Sequence, residues 1–229
     1  MAQTLLLSLL AGLATLGGAF LGLLLPETLP LSVLAGFAGG VMSNVLLSAL
    51  APLLGKSSFT VVGLGVGTGV FFVWLAGRKL AGRGARSYWR LGWIMFLAIA
   101  LHDLPEGIAL GAGSALAEQL GFLLALALGL HNLPEGVINA VPLNRSGLSP
   151  RKVLALNLLL SLVTPFGTLL GQGIGFSAPS AIPFSLALAG GAMSYVVLKE
   201  LLPLALSLRG LLSFGVGFWL MEGLSRLVH

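Results

Sequence analysis

From Thr4 to Leu25 the chain carries no charged residue, and comparable apolar runs recur to its end. A run of about 20 apolar residues matches the hydrocarbon thickness of a bilayer when coiled as a helix. Strands of a membrane barrel would instead alternate over segments of about 10 residues. Only 8% of the residues are charged, 57% are hydrophobic, and the mean hydropathy is +1.03. Soluble domains carry about 25% charged residues. The expected class is therefore an all-α integral membrane protein, with a lipid bilayer as its solvent.

The runs predict eight spans in one transmembrane domain over residues 1–229, at about Thr4–Leu25, Leu31–Leu54, Phe59–Ala76, Leu91–Gly113, Leu120–Leu143, Val153–Gly175, Ile182–Leu206 and Leu211–Val228. The first is too long for a signal-peptide core and has no basic leader, so it is read as a retained span. Basic residues fall unevenly on the two sides. Arg78, Lys79, Arg83, Arg86, Arg90, Arg145, Arg151, Lys152 and Arg209 share one, and only Lys56 and Arg226 lie on the other. The positive-inside rule then puts both termini outside the cytoplasm. The net charge of +5 is read as topology, with no nucleic-acid partner. Lys199 and Glu200, near the cytoplasmic end of span seven, are expected to snorkel to the interface. Cysteine is absent, which excludes disulfides and thiolate metal sites.

Two internal repeats stand out. Ala38–Pro52 in span two matches Ala189–Pro203 in span seven at nine of fifteen positions. Spans two and seven cross in opposite directions, which is the mark of an inverted repeat. The second repeat is the hexapeptide His102-Asp103-Leu104-Pro105-Glu106-Gly107 in span four and His131-Asn132-Leu133-Pro134-Glu135-Gly136 in span five. Turns at these prolines would leave flanking runs about half a membrane long, so continuous helices are expected. On a helix, His102 and Glu106 lie one turn apart on one face, as do His131 and Glu135, with Asp103 and Asn132 beside them. Each proline leaves one carbonyl, of Leu101 or Leu130, without its helical donor.

Ionisable groups at membrane depth mark a functional site by default. Two imidazoles and three carboxylates in a small volume of low dielectric are costly unless a cation offsets them. Nitrogen and carboxylate donors suit zinc, iron(II), manganese, cobalt or cadmium over magnesium and calcium. The expected partner is a divalent metal ion that crosses the membrane, with no catalytic cofactor. Met42, read by itself, is core packing. The alternative is an intramembrane metal-dependent hydrolase, with His102, His131 and one glutamate holding an activating metal. No His-Glu-x-x-His arrangement supports it.

The hexapeptides, eight spans and basic loop between spans three and four resemble the ZIP family (zinc- and iron-regulated-transporter-like proteins) in its bacterial form. The resemblance implies a three-plus-two-plus-three inverted repeat, often dimeric, importing divalent metal through the inner cell membrane. It implies a primary site of His102, Glu106, His131 and Glu135 with Met42. It also implies an adjacent second site of Asp103 and Asn132 with the bridging glutamates. The chain departs from the family pattern in span six, where Thr164-Pro165-Phe166-Gly167 lacks a common glutamate. It departs again at Ala49, where span two often carries an acid.

Overall fold

The computed structural model describes residues 2–80, 88–177 and 181–228, and every regular element in them is helical. In order these are α1 (Ala2–Leu24), α2 (Leu31–Lys56), α3 (Phe59–Leu80), α4 (Tyr88–Leu116) and α5 (Glu118–Arg145). Then follow α6 (Pro150–Ser161), α7 (Val163–Ser177), α8 (Ala181–Tyr195), a π-helical turn (Val196–Leu201), α9 (Leu202–Ala205) and α10 (Leu208–Val228). Arg83, Arg86 and His229 lie outside the described residues.

Among the described residues, seven helical stretches are long and apolar enough to cross a membrane. They correspond to the first seven sequence runs. The sixth is α6 and α7 in line, interrupted at Leu162. The eighth run is a helix as well, but Glu222 and Arg226 dilute its apolar character, and the two charges pair at 2.8 Å. Proline marks several boundaries. Pro26 follows α1, Pro30 caps α2, and Pro150 opens α6 where its missing N–H costs nothing. Between α1 and α2 the carbonyls of Glu27 and Leu29 accept from Arg145 Nη2, each at 3.0 Å, which ties this turn to the end of α5.

The helices associate in two groups. In one, α1 lies along α5, α4 along α7, and α4 and α5 pack on each other. In the other, α2 lies along α10 and α3 along α8. Glycines set these approaches. A Cβ on Gly136 would strike the Thr15 carbonyl, and one on Gly18 the Leu133 carbonyl, so α1 and α5 touch backbone to backbone. The same happens between α4 and α7, where Gly107 meets Thr164 and Gly167 meets Leu104. In the second group Gly40 meets Phe214 and Gly217 meets Phe37, while Gly191 meets Val66 and Gly69 meets Leu188. Small residues are the usual means of close helix packing in lipid, where burial from water provides no drive.

The largest apolar core lies where the groups meet. It contains Ala38 and Met42 of α2, Val73 of α3, Ile94, Ala98 and Ile99 of α4, Ile138 of α5, Met193 of α8 and Val196 of the π turn. Trp74, Tyr88, Trp89 and Trp93 gather at the end that holds Arg78 and Arg90, and Arg78 sits 5.0 Å from the Trp74 ring centre. Aromatic side chains of this kind prefer the headgroup level of a bilayer.

Candidate metal centre

Both hexapeptides lie inside unbroken helices, with Pro105 within α4 and Pro134 within α5. The apolar flanks are each too short to span alone, which a continuous helix through the proline resolves. Gly107 and Gly136 bring α7 and α1 against the outer sides of α4 and α5. The remaining faces of α4 and α5 turn toward each other.

Helical spacing places His102 above Glu106 and His131 above Glu135, but the contacts formed are crossed between helices. His102 Nε2 lies 3.2 and 3.3 Å from the two carboxylate oxygens of Glu135. His131 Nε2 lies 3.1 Å from Glu106 Oε2. Every one of these side chains is buried, as are Asp103 and Asn132. Asp103 Oδ1 stands 3.4 Å from the same His102 nitrogen without a hydrogen bond, and neither oxygen of Asp103 has a hydrogen-bond partner.

The chemistry of this cluster calls for a positive charge. His131 Nδ1 donates to the Ala127 carbonyl at 2.9 Å, which assigns the ring proton to Nδ1 when the imidazole is neutral. Its Nε2 lone pair then faces the Glu106 carboxylate, an arrangement that is repulsive until a cation stands between them. At His102, one nitrogen is crowded by three carboxylate oxygens, more than a single N–H can satisfy. His102, Asp103 and Glu135 offer ligand atoms within 4.8 Å of one another, which is the spread of a metal's coordination shell. The hydrogen bond from His131 to a backbone carbonyl is the usual second contact of a metal-binding imidazole.

The other expected residues take different places. Asn132 Nδ2 donates to the Ala11 carbonyl of α1 at 3.1 Å, and its Oδ1 has no partner. Met42 is buried in the apolar core beside Ala98, Ile99 and Ile138, within a turn of His102 and Glu135 on their helices. Thr164 fills the position of the missing acid; it is buried with an unpartnered hydroxyl, and Thr15 on α1 shares both properties. The sequence signal that could have found Thr15 is its spacing to Gly18, which repeats as Thr164 and Gly167.

The expectation for Lys199 and Glu200 needs correction. Lys199 is exposed, but Glu200 is buried in the π-helical turn and paired with Arg90 of α4. The reason is tertiary: a cation 110 residues away in sequence makes burial of the carboxylate affordable. Of the polar span residues, Asn139 Nδ2 donates to Asn157 Oδ1 and Asn44 Nδ2 to Glu222 Oε2, both at 3.0 Å. Each bond joins two helices.

Comparison with known proteins bears on what such a cluster serves. The sequence profile described as "ZIP Zinc transporter" matches residues 77–224, more than half of the chain and including both hexapeptides. The chain is 40% identical over 140 residues to the zinc transporter ZIP11 of Xenopus tropicalis, covering 58% of this chain and 41% of that protein. It is 37% identical over 117 residues to the zinc transporter GufA of Myxococcus xanthus, covering 50% of this chain and 46% of that one. It therefore spans less than half the length of these two relatives. Against the zinc transporter ZupT of Chlorobium phaeovibrioides it is 34% identical over 231 residues, covering 88% of this chain and 87% of the relative. These relatives are named transporters rather than enzymes, and the hydrolase alternative is set aside. The duplicated hexapeptide, the helical membrane fold and the family match converge: this multi-pass membrane protein belongs to the ZIP zinc-transporter family.

Proposed function

We propose that the chain carries divalent transition-metal ions, zinc foremost, with iron(II), manganese, cobalt and cadmium as competing cargo, into the cytoplasm by alternating access. The observation that carries this reading is the crossed pairing of His102 with Glu135 and His131 with Glu106, with Asp103 left unpartnered beside them. A permanent structural cluster would satisfy its own hydrogen bonds. This one leaves both oxygens of the buried Asp103 without a donor, where a passing cation stabilises them. Imidazole and carboxylate donors suit zinc, and the named cargo of the relatives agrees.

The primary site comprises His102, Glu106, His131 and Glu135, with Met42. Asp103 and Asn132 form the adjacent second position. The domain is a single membrane unit of eight spans, α10 being the last, with both termini outside the cytoplasm. The clustering of basic and aromatic residues at one end supports that orientation in a cell membrane.

An inverted repeat underlies the reading. One register shift carries Thr15 and Gly18 onto Thr164 and Gly167, and another carries Leu133 and Gly136 back onto Leu104 and Gly107. The α1–α5 and α4–α7 approaches are thus built from matched residues. Likewise Gly40 and Phe37 correspond to Gly191 and Leu188, and Val66 and Gly69 to Phe214 and Gly217. Matched contacts in both halves support a three-plus-two-plus-three arrangement, and a site between the halves can face either side. A homodimer is the expected assembly by analogy with the family.

Uptake of radioactive zinc into proteoliposomes tests the site. The double change His102→Ala and Glu135→Ala is expected to reduce saturable uptake to the level of empty vesicles. Undiminished uptake would remove the site assignment, and linear, non-saturating uptake would argue for a channel.

A further inference from the structure

At the basic end of the bundle a second charged element joins the two helix groups. Arg90 Nη1 donates to Glu200 Oε2 and Arg90 Nη2 to Glu200 Oε1, each at 3.0 Å. The side chains are 16% and 8% exposed, so the fork is largely shielded from water. A two-pronged guanidinium–carboxylate pair of this kind is strong and directional. Arg90 opens α4, the helix that carries His102, about 18 Å along the axis from it. Glu200 sits in the π turn after α8, in the other helix group. Gly77 of α3 lies alongside the pair, its Cβ position 3.4 Å from Tyr195 Oη and 3.7 Å from Arg90 Nη2. A π turn inside a helix often accompanies function.

Among the described residues the matched half shows no equivalent forked pair. Glu200 stands three residues before Pro203, and the same place before Pro52 is Ala49. In the register that carries His102 onto His131, Arg90 corresponds to Gln119, which is exposed. The helix α2 passes through Pro52 as a regular α-helix, with no π turn. Two halves of near-equal build would leave the two facing states near-equal in energy. A forked ion pair at one end alone breaks that balance.

We propose that Arg90 and Glu200 form a one-sided latch that holds the basic end of α4 against α8 and so sets the population of the two facing states. The inference rests on the alternating-access reading above. The latch touches neither cargo nor ligands; it acts by making separation of the two groups at this end costlier than at the other. Neutralising Arg90 leaves the Glu200 carboxylate buried without its forked partner, and neutralising Glu200 removes the fork from the Arg90 side; both favour the parted arrangement.

The absence of cysteine makes a direct test available. Ile94, fully buried one turn from Arg90, is replaced by cysteine, and a membrane-impermeant maleimide is applied to each face of sealed vesicles in turn. With the latch intact, labelling from the basic face is slow. Arg90→Gln or Glu200→Gln is expected to accelerate it about tenfold or more, with little change from the opposite face. The charge-swapped pair Arg90→Glu with Glu200→Arg is expected to restore slow labelling. Unchanged labelling in the neutral variants overturns the latch, and so does a swapped pair that labels as fast as they do. If the neutral variants fail to fold, Arg90→Lys and Glu200→Asp keep the charges but lose the fork. They are expected to label at intermediate rates, and native-like labelling there overturns the proposal. Labelling needs no metal, so the two readings fail separately. A native chain that transports zinc with labelling indifferent to these changes defeats the latch alone. One that labels as expected but moves no metal defeats the transport reading.

Discussion

At His131 a single hydrogen bond has large chemical consequences. Donation from Nδ1 to the Ala127 carbonyl leaves Nε2 as the ring nitrogen free of backbone contact and aims it at Glu106. At Asp103 the reverse holds: a buried carboxylate has no donor at all. Leaving an ionised group so placed is costly unless a cation arrives. Asp103→Asn is therefore expected to weaken zinc binding to the purified protein by about 10- to 100-fold, as loss of groups around a metal commonly does. Calorimetric titration measures this, and unaltered affinity would show that the Asp103 carboxylate does not face the ion. The residue types and spacing of this cluster are legible in the sequence, because one helical turn relates His102 to Glu106 and His131 to Glu135. The partner of each histidine is not legible, because it depends on how α4 and α5 are rotated about their own axes.

Among the elements, the close approaches of α1 to α5 and of α4 to α7 fix that rotation. Gly136 and Gly107 each abut a carbonyl that cannot retreat, since it belongs to a neighbouring helix backbone. Gly136→Val and Gly107→Val are expected to force the helices apart, with a stability loss of about 1–3 kcal/mol or more. Thermal unfolding in detergent, followed by size-exclusion chromatography, checks this. Gly63→Val has open space around it in the described structure and is expected to be near neutral on the same measure. The boundaries at Pro26, Pro30 and Pro150 are local properties of a missing N–H, whereas Pro52, Pro105, Pro134 and Pro142 lie within helices. The break at Leu162 and the π turn at Val196–Leu201 interrupt stretches that read as continuous spans. Each lies just before a proline, Pro165 or Pro203, whose missing N–H leaves a carbonyl of the preceding turn without its helical donor, and apolar periodicity does not register them.

For the whole molecule, the two helix groups and the one-sided distribution of charge matter most. At the proposed site protons and metal compete for the same imidazoles and carboxylates, so zinc uptake is expected to fall as the outer pH is lowered. The sign follows from ligation, which requires neutral imidazole and ionised carboxylate. Uptake measured across a pH series at fixed free zinc tests it, and a flat profile would argue against these ligands. Seven of the eight apolar runs become helices apolar enough to span, while the last helix carries Arg209 and the pair of Glu222 with Arg226.

Apolar runs of membrane length leave little but helices, because backbone groups in lipid must bond within their own segment. The same local rule put each histidine above a glutamate, and the repeated hexapeptide was visible without any structure. The crossed His–Glu pairs, the contact of Asn132 with Ala11, and the burial of Glu200 against Arg90 were decided by packing alone. Such contacts join residues from different helices, and which faces meet is settled by shape between helix surfaces, a property no stretch of sequence holds by itself.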